Sequence, residues 1–167
     1  MTAARPCFDE VNALGRDAFV ERFGAVYEHS PWVAGCAWDS RPFADREALA
    51  AAMQNVVLRA GHERQLALLR AHPRLGTRLA LSGYSRAEQS GAGIEAATDA
   101  DRAELQALNA RYEQRFGFPF ILAVKNAALP EILASCRRRV DADPAAEFEE
   151  ALRQVFRIAG FRLADLC

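Results

Sequence analysis

Apolar positions recur along most of the chain at the three- and four-residue spacing of an amphipathic helix. Between residues 16 and 27, Phe19, Val20, Phe23, Val26 and Tyr27 share one face, which predicts a helix over that stretch. Ser30-Pro31 supplies a cap and a first-turn proline for a short helix through Trp32 and Val33 toward Trp38. Asp45 stands where it can cap a third helix, with Leu49, Met53, Val56, Val57 and Ala60 as its stripe and Gly61 as its stop. A fourth, over about residues 62–71, turns Leu66 and Leu69 inward and meets His72-Pro73. Proline cannot continue the turn, and it also pushes the residue before it out of helical geometry.

From Arg74 to Thr98 the pattern weakens, with glycines at 76, 83, 91 and 93, and predicts loop with one short helix. Thr98 then caps a long helix to Phe116, along which Leu105, Leu108, Tyr112 and Phe116 align, and Gly117 ends it. Residues 118–124 are apolar without a helical period and contain Pro119, so they predict a buried extended connection. One further helix covers about residues 128–140 with Ile132, Leu133 and Cys136 inward. The last opens at Asp143-Pro144 and carries Phe148, Leu152, Val155, Phe156, Ala159 and Leu163. There is no internal repeat and no linker-like tract. The expectation is one compact all-α domain over residues 1–167, with about seven to nine helices and the buried FPFIL connection.

Composition strengthens that reading. The chain holds 34 alanines against 9 Val, 4 Ile and 3 Thr, so helix formers far outnumber β-branched residues. Its 167 residues suffice to bury a core without disulfides or metals. A net charge of −1 removes the basic footprint of a nucleic-acid binder. Twenty of the 21 basic residues are arginine, with Lys125 the single lysine. A coding bias accounts for that skew, and anion recognition is arguable only for individual arginines. No apolar run reaches the length of a membrane span, and no secretory signal opens the sequence. The cysteines at 7, 36, 136 and 167 are scattered without a C-x-x-C pair, which suits reduced thiols in a cytoplasm.

His29, His62 and His72 form no H-x-x-x-H or H-E-x-x-H pairing and have no cysteine pair nearby, so no metal site is expected. Phosphate-binding glycine loops are missing too, so no nucleotide cofactor is expected. Four features remain. His72 ends a helix before Pro73, and it reads either as a plain helix terminator or as an imidazole set beside unpaired helix carbonyls that favour its cationic form. Ser85 and Glu88, with Gln89 beside them, form a capping box that opens a poor helix running into glycines, either a simple cap or a set of groups aimed at an anion. The 116–124 run holds backbone groups that a helix would have consumed, and a ligand rich in amide groups or the core itself would have to satisfy them. Arg162, between Phe161 and Leu163, points to a protected site or snorkels to solvent. Arg137, Arg138 and Arg139 spread around their helix and are expected to be solvated.

These features, taken together and in order, resemble the OHCU decarboxylase family, whose members act on 2-oxo-4-hydroxy-4-carboxy-5-ureidoimidazoline. The residues that carry the likeness are PWVA at 31–34, His72-Pro73, Ser85-x-x-Glu88-Gln89 with Ala92-Gly93, Asn109, Tyr112, RFGFPFI at 115–121, and Ile158-x-x-Phe161-Arg162-Leu163. The resemblance runs from about Phe19 to Leu166. It implies an all-helical, cofactor-free enzyme of urate breakdown, usually a homodimer, that forms (S)-allantoin and releases CO2. By the same resemblance His72 is the catalytic histidine with Pro73 beside it, Glu88 is the active-site glutamate, and Arg162 pairs with the anionic substrate. Ser85 and Gln89 line the pocket, while Phe120, Ile121, Leu122, Ala123 and Val124 meet the substrate through backbone groups. Functional coupling to a hydroxyisourate hydrolase is implied as well. Arg74 stands where many members carry Asp, and the short stretch after His72 is nearer to stand-alone bacterial members. An enzyme of another ureide and a non-catalytic helical interaction module are the competing classes.

Overall fold

The computed structural model describes residues 6–75, 98–124 and 127–167. Among the described residues there are eight α-helices, one short 3-10 turn and no strand. The helices are α1 (Pro6–Ala13), α2 (Arg16–Phe23), α3 (Trp32–Ala37), α4 (Arg46–Arg59), α5 (His62–Arg70), α6 (Asp99–Phe116), α7 (Leu129–Arg139) and α8 (Pro144–Leu166), with the 3-10 turn at Trp38–Ser40. By backbone proximity the chain forms two units, Met1–Ala71 with Phe156–Cys167, and His72–Val155.

In the first unit α3 packs on α2 and α4. Phe19, Phe23, Val33, Leu49, Met53, Val57 and Leu69 are sealed from solvent, and Phe19 lies 4.9 Å from Phe23 and 6.0 Å from Phe43 between ring centroids. Helix α2 stops at Phe23 and does not reach Tyr27. At Gly24, the residue that follows, a side chain would stand 2.5 Å from the Val20 carbonyl and 3.3 Å from Pro31, so this close approach requires glycine. Val26 and Tyr27 are buried all the same, as the stripe required. Asp45 caps α4, its Oδ1 accepting from the Ala48 amide at 2.8 Å. Gly61, at φ +85°, reverses the chain into α5. In α5 it is Leu68 and Leu69 that are buried, while Leu66 stays half-exposed.

In the second unit Thr98 caps α6 by accepting from the Asp101 amide at 3.1 Å, and Gly117, at φ +80°, closes it. Leu105, Asn109 and Tyr112 face inward, with Leu108 and Phe116 half-buried. Residues 118–124 hold neither helix nor strand, and all but Leu122 are buried. Helix α7 buries Ile132, Leu133 and Cys136 and packs on α6. Asp143 opens α8, its carboxylate accepting from the Ala146 amide at 3.2 Å. One expectation fails here. Arg137 and Arg138 are exposed, but Arg139 is 5% exposed and sits against Glu147. The helix turns it inward on the same face as Cys136 and Ser135, and a carboxylate on α8 compensates its charge.

Candidate active site

His72 follows the last turn of α5 and is 7% exposed, with Pro73 half-buried after it. Two side chains of α6, four residues apart and so on one face, hold the stretch that follows. The Arg74 guanidinium meets Glu113 through two parallel contacts, Nε to Oε1 at 2.5 Å and Nη2 to Oε2. Asn109 donates through Nδ2 to the Leu75 carbonyl at 2.9 Å, and its buried Oδ1 has no hydrogen-bond partner among the described residues. The arginine that departs from the family pattern is therefore anchored by an ion pair rather than loose.

The 118–124 segment is fixed by a buried polar cluster that the hydrophobic pattern does not reveal. Arg139 donates through Nη1 to the Ile121 carbonyl at 2.7 Å and through Nε to Glu147 at 2.8 Å, and its guanidinium lies 4.5 Å over the Phe120 ring. The Tyr112 hydroxyl donates to the same Glu147 carboxylate. Burial above all, and then the neighbouring Glu147, push that phenol above its ordinary range. The Ala123 amide donates to Gln154 Oε1 at 3.0 Å, and Gln154 in turn donates to Glu150 at 2.7 Å. Tyr112 packs edge-on to Phe118 and Phe120 at 5.8 and 5.3 Å. So two of the backbone groups left over by the absence of a helix, Ile121 C=O and Ala123 N–H, are satisfied by protein side chains.

Arg162 lies near the end of α8 and is 1% exposed, so it does not snorkel. Its Nη2 donates to Glu28 Oε2 at 2.8 Å and its Nη1 to the Val26 carbonyl at 3.2 Å, with the Ala25 carbonyl at 3.4 Å. Glu28 is also 1% exposed, and the side chain of His29 stands 3.7 Å from its other oxygen. The turn that presents Glu28 is unusual: His29 adopts φ +48°, and Ser30 Oγ donates to the Glu28 carbonyl at 2.9 Å. Ser30 thus stabilises the turn rather than capping α3. Nothing in the pattern singles out Glu28, because one acidic residue shortly before a serine and a proline looks like ordinary loop. The sole cue was its place between the buried Tyr27 and the PWVA run.

His72, Pro73 and the segment Phe120–Val124 belong to the second unit and Arg162 to the first. Ser85, Glu88 and Gln89 lie outside the described residues, as does most of the weakly patterned stretch after Arg74. Among the described residues no three His, Cys, Asp or Glu side chains gather where they could hold a metal ion. None of the described helices is long and apolar enough to cross a membrane.

Residues 12–164 match the family model described as OHCU decarboxylase. A 2-oxo-4-hydroxy-4-carboxy-5-ureidoimidazoline decarboxylase of Haloferax volcanii is 46% identical, over 93% of this chain and 93% of its own length. One of Halalkalicoccus jeotgali is 40% identical, over 95% of this chain and 90% of its own. Among solved structures, an (S)-allantoin synthase superposes with a TM-score of 0.78 at 32% identity, covering 95% of this chain and 53% of that one. The helices, the HPR turn, the FGFPFI connection and the buried arginine of α8 thus stand in a chain whose likeness to these enzymes runs almost from end to end, and the protein belongs to the OHCU decarboxylase family.

Proposed function

We propose that this protein decarboxylates 2-oxo-4-hydroxy-4-carboxy-5-ureidoimidazoline to (S)-allantoin, releasing CO2, as a carboxy-lyase of urate breakdown. The observation that carries the reading is the family match over residues 12–164, backed by 46% identity to a decarboxylase of that name. The match spans both compact units, which supports treating residues 1–167 as one functional domain. The substrate is a small molecule that bears its carboxylate on a carbon with a hydroxyl, next to an imine-like ring carbon. Breaking the C–CO2 bond sends two electrons into that ring, so the substrate is its own electron sink and the reaction needs no pyridoxal or thiamine.

The chain's residues then have three tasks. Arg162 holds the substrate carboxylate through charge-assisted hydrogen bonds. His72, whose unperturbed pKa of about 6.5 lies near neutrality, handles the hydroxyl proton and delivers the stereospecific proton, oriented by Glu88. Ser85 and Gln89 line the pocket with Pro73, and the backbone of Phe120, Ile121, Leu122, Ala123 and Val124 borders the ureido group. The anchoring of Ile121 by Arg139 and of Ala123 by Gln154 supports that last role, since a segment held this way offers a fixed edge. Homodimer assembly, a cytoplasmic setting and coupling to a hydroxyisourate hydrolase that supplies the labile substrate complete the proposal.

The test generates the substrate in place from urate with urate oxidase and hydroxyisourate hydrolase, and follows circular dichroism. The protein should speed the appearance of optically active (S)-allantoin. His72→Ala should lower that rate by about 10²–10⁴-fold, the usual contribution of a general acid–base group. A trace identical to the slow racemic background with wild-type protein would sink the decarboxylase reading.

A further inference from the structure

Glu28 is a buried carboxylate to which the reaction scheme gives no part, yet the fold invests heavily in its place. It and Arg162 are each 1% exposed, and they meet at 2.8 Å between residues 134 positions apart in sequence. The turn that delivers Glu28 puts a non-glycine residue, His29, at φ +48°, a region such residues seldom adopt unless the surroundings hold them there. Ser30 Oγ fastens the same turn by donating to the Glu28 carbonyl. The carbonyls of Val26 and Ala25, from the residues just before it, take the second nitrogen of the guanidinium. Stability alone is a poor explanation for this arrangement, because a well-packed apolar pair of similar volume commonly serves a fold as well as a buried ion pair.

We propose that Glu28 is a positioning residue for Arg162: it fixes the guanidinium and cancels its charge, so that Arg162 meets the substrate carboxylate as an oriented hydrogen-bond donor rather than as an uncompensated cation. The inference rests on the reading that Arg162 holds that carboxylate. Its logic is that of differential binding. In decarboxylation the negative charge starts on the carboxylate and leaves it as the C–C bond breaks, moving into the ring. A full positive charge beside the carboxylate stabilises the starting state more than the transition state and slows the bond breaking. A guanidinium already paired with Glu28 keeps the directional hydrogen bonds and loses most of that penalty.

Glu28→Gln isolates the charge, because an amide oxygen can still accept from Nη2 while the backbone carbonyls hold Nη1. With the coupled dichroism assay, the expected result is a fall in kcat of about tenfold together with a fall in KM. This joint decrease is the signature of a more stable ground-state complex. A loss of fold would instead lower the active fraction and leave KM unchanged. Glu28→Asp keeps the charge but withdraws it by one methylene, and should shift kcat and KM in the same direction by less. It also decides the matter if Glu28→Gln does not fold. A KM that is unchanged or raised in the folded variants, with wild-type enzyme active and His72→Ala impaired, overturns the role of Glu28 alone. Wild-type protein without activity overturns the function beneath it.

Discussion

Replacing Arg139 by Met removes the cation from a buried cluster. Arg139 is 5% exposed and Glu147 2%, so the variant strands a carboxylate with the Tyr112 hydroxyl as its remaining described donor. Breaking one side of a buried pair typically costs about 3–5 kcal/mol, because the surviving charge is left uncompensated. The Ile121 carbonyl loses its donor at the same time, a further cost of about 1–3 kcal/mol if no water replaces it. Taking the lower half of the combined range, about 4–6 kcal/mol, and about 2–4 °C per kcal/mol for a chain of this size, the melting temperature should fall by roughly 8–24 °C. Thermal denaturation followed by far-ultraviolet dichroism measures it directly. Adding Glu147→Gln removes the orphaned charge, so the double variant should lose less than the sum of the two single losses, as expected for partners in contact. A drop of less than about 3 °C for Arg139→Met, or strict additivity in the double variant, would refute the claim that this pair is buried and coupled.

Two further outcomes follow from local features. Asp45→Ala should lower stability by about 1 kcal/mol, read as a melting shift of about 2–4 °C with unchanged helical dichroism, because the Ala48 amide loses its acceptor. No shift would mean that the cap is replaced by water at no cost. Burial pushes the Cys136 thiol up to about 11, whereas Cys36 is exposed. At pH 8, Cys36→Ser should therefore remove one fast-reacting equivalent in a disulfide-exchange titration, and Cys136→Ser should remove none. The sign for stability follows from the raised value: the buried neutral thiol contributes fully below the unfolded value near 9, and that contribution declines as pH rises toward 11.

The sequence by itself determined where most helices begin and end, the fold class, and the family. Asp45 and Thr98 cap, and Gly61 and Gly117 stop, through contacts within four residues along the chain, so composition and spacing suffice to find them. The buried run at 118–124 was legible for a similar reason: a proline and a lost period exclude a helix whatever surrounds them. The end of α2 at Phe23, short of the apolar stripe that runs on to Tyr27, was not legible in the pattern. The fate of the charged groups was decided only in three dimensions. Arg137, Arg138 and Arg139 are alike in a one-dimensional pattern, and Arg139 alone finds a carboxylate facing it from α8. From the pattern alone Arg162 read first as an arginine that snorkels to solvent, yet it is buried against Glu28, 134 residues away. A hydrophobic period records which face turns inward. It carries no record of whether a charge on that face meets its opposite, because desolvating an ion is compensated by a partner whose position the tertiary fold alone sets.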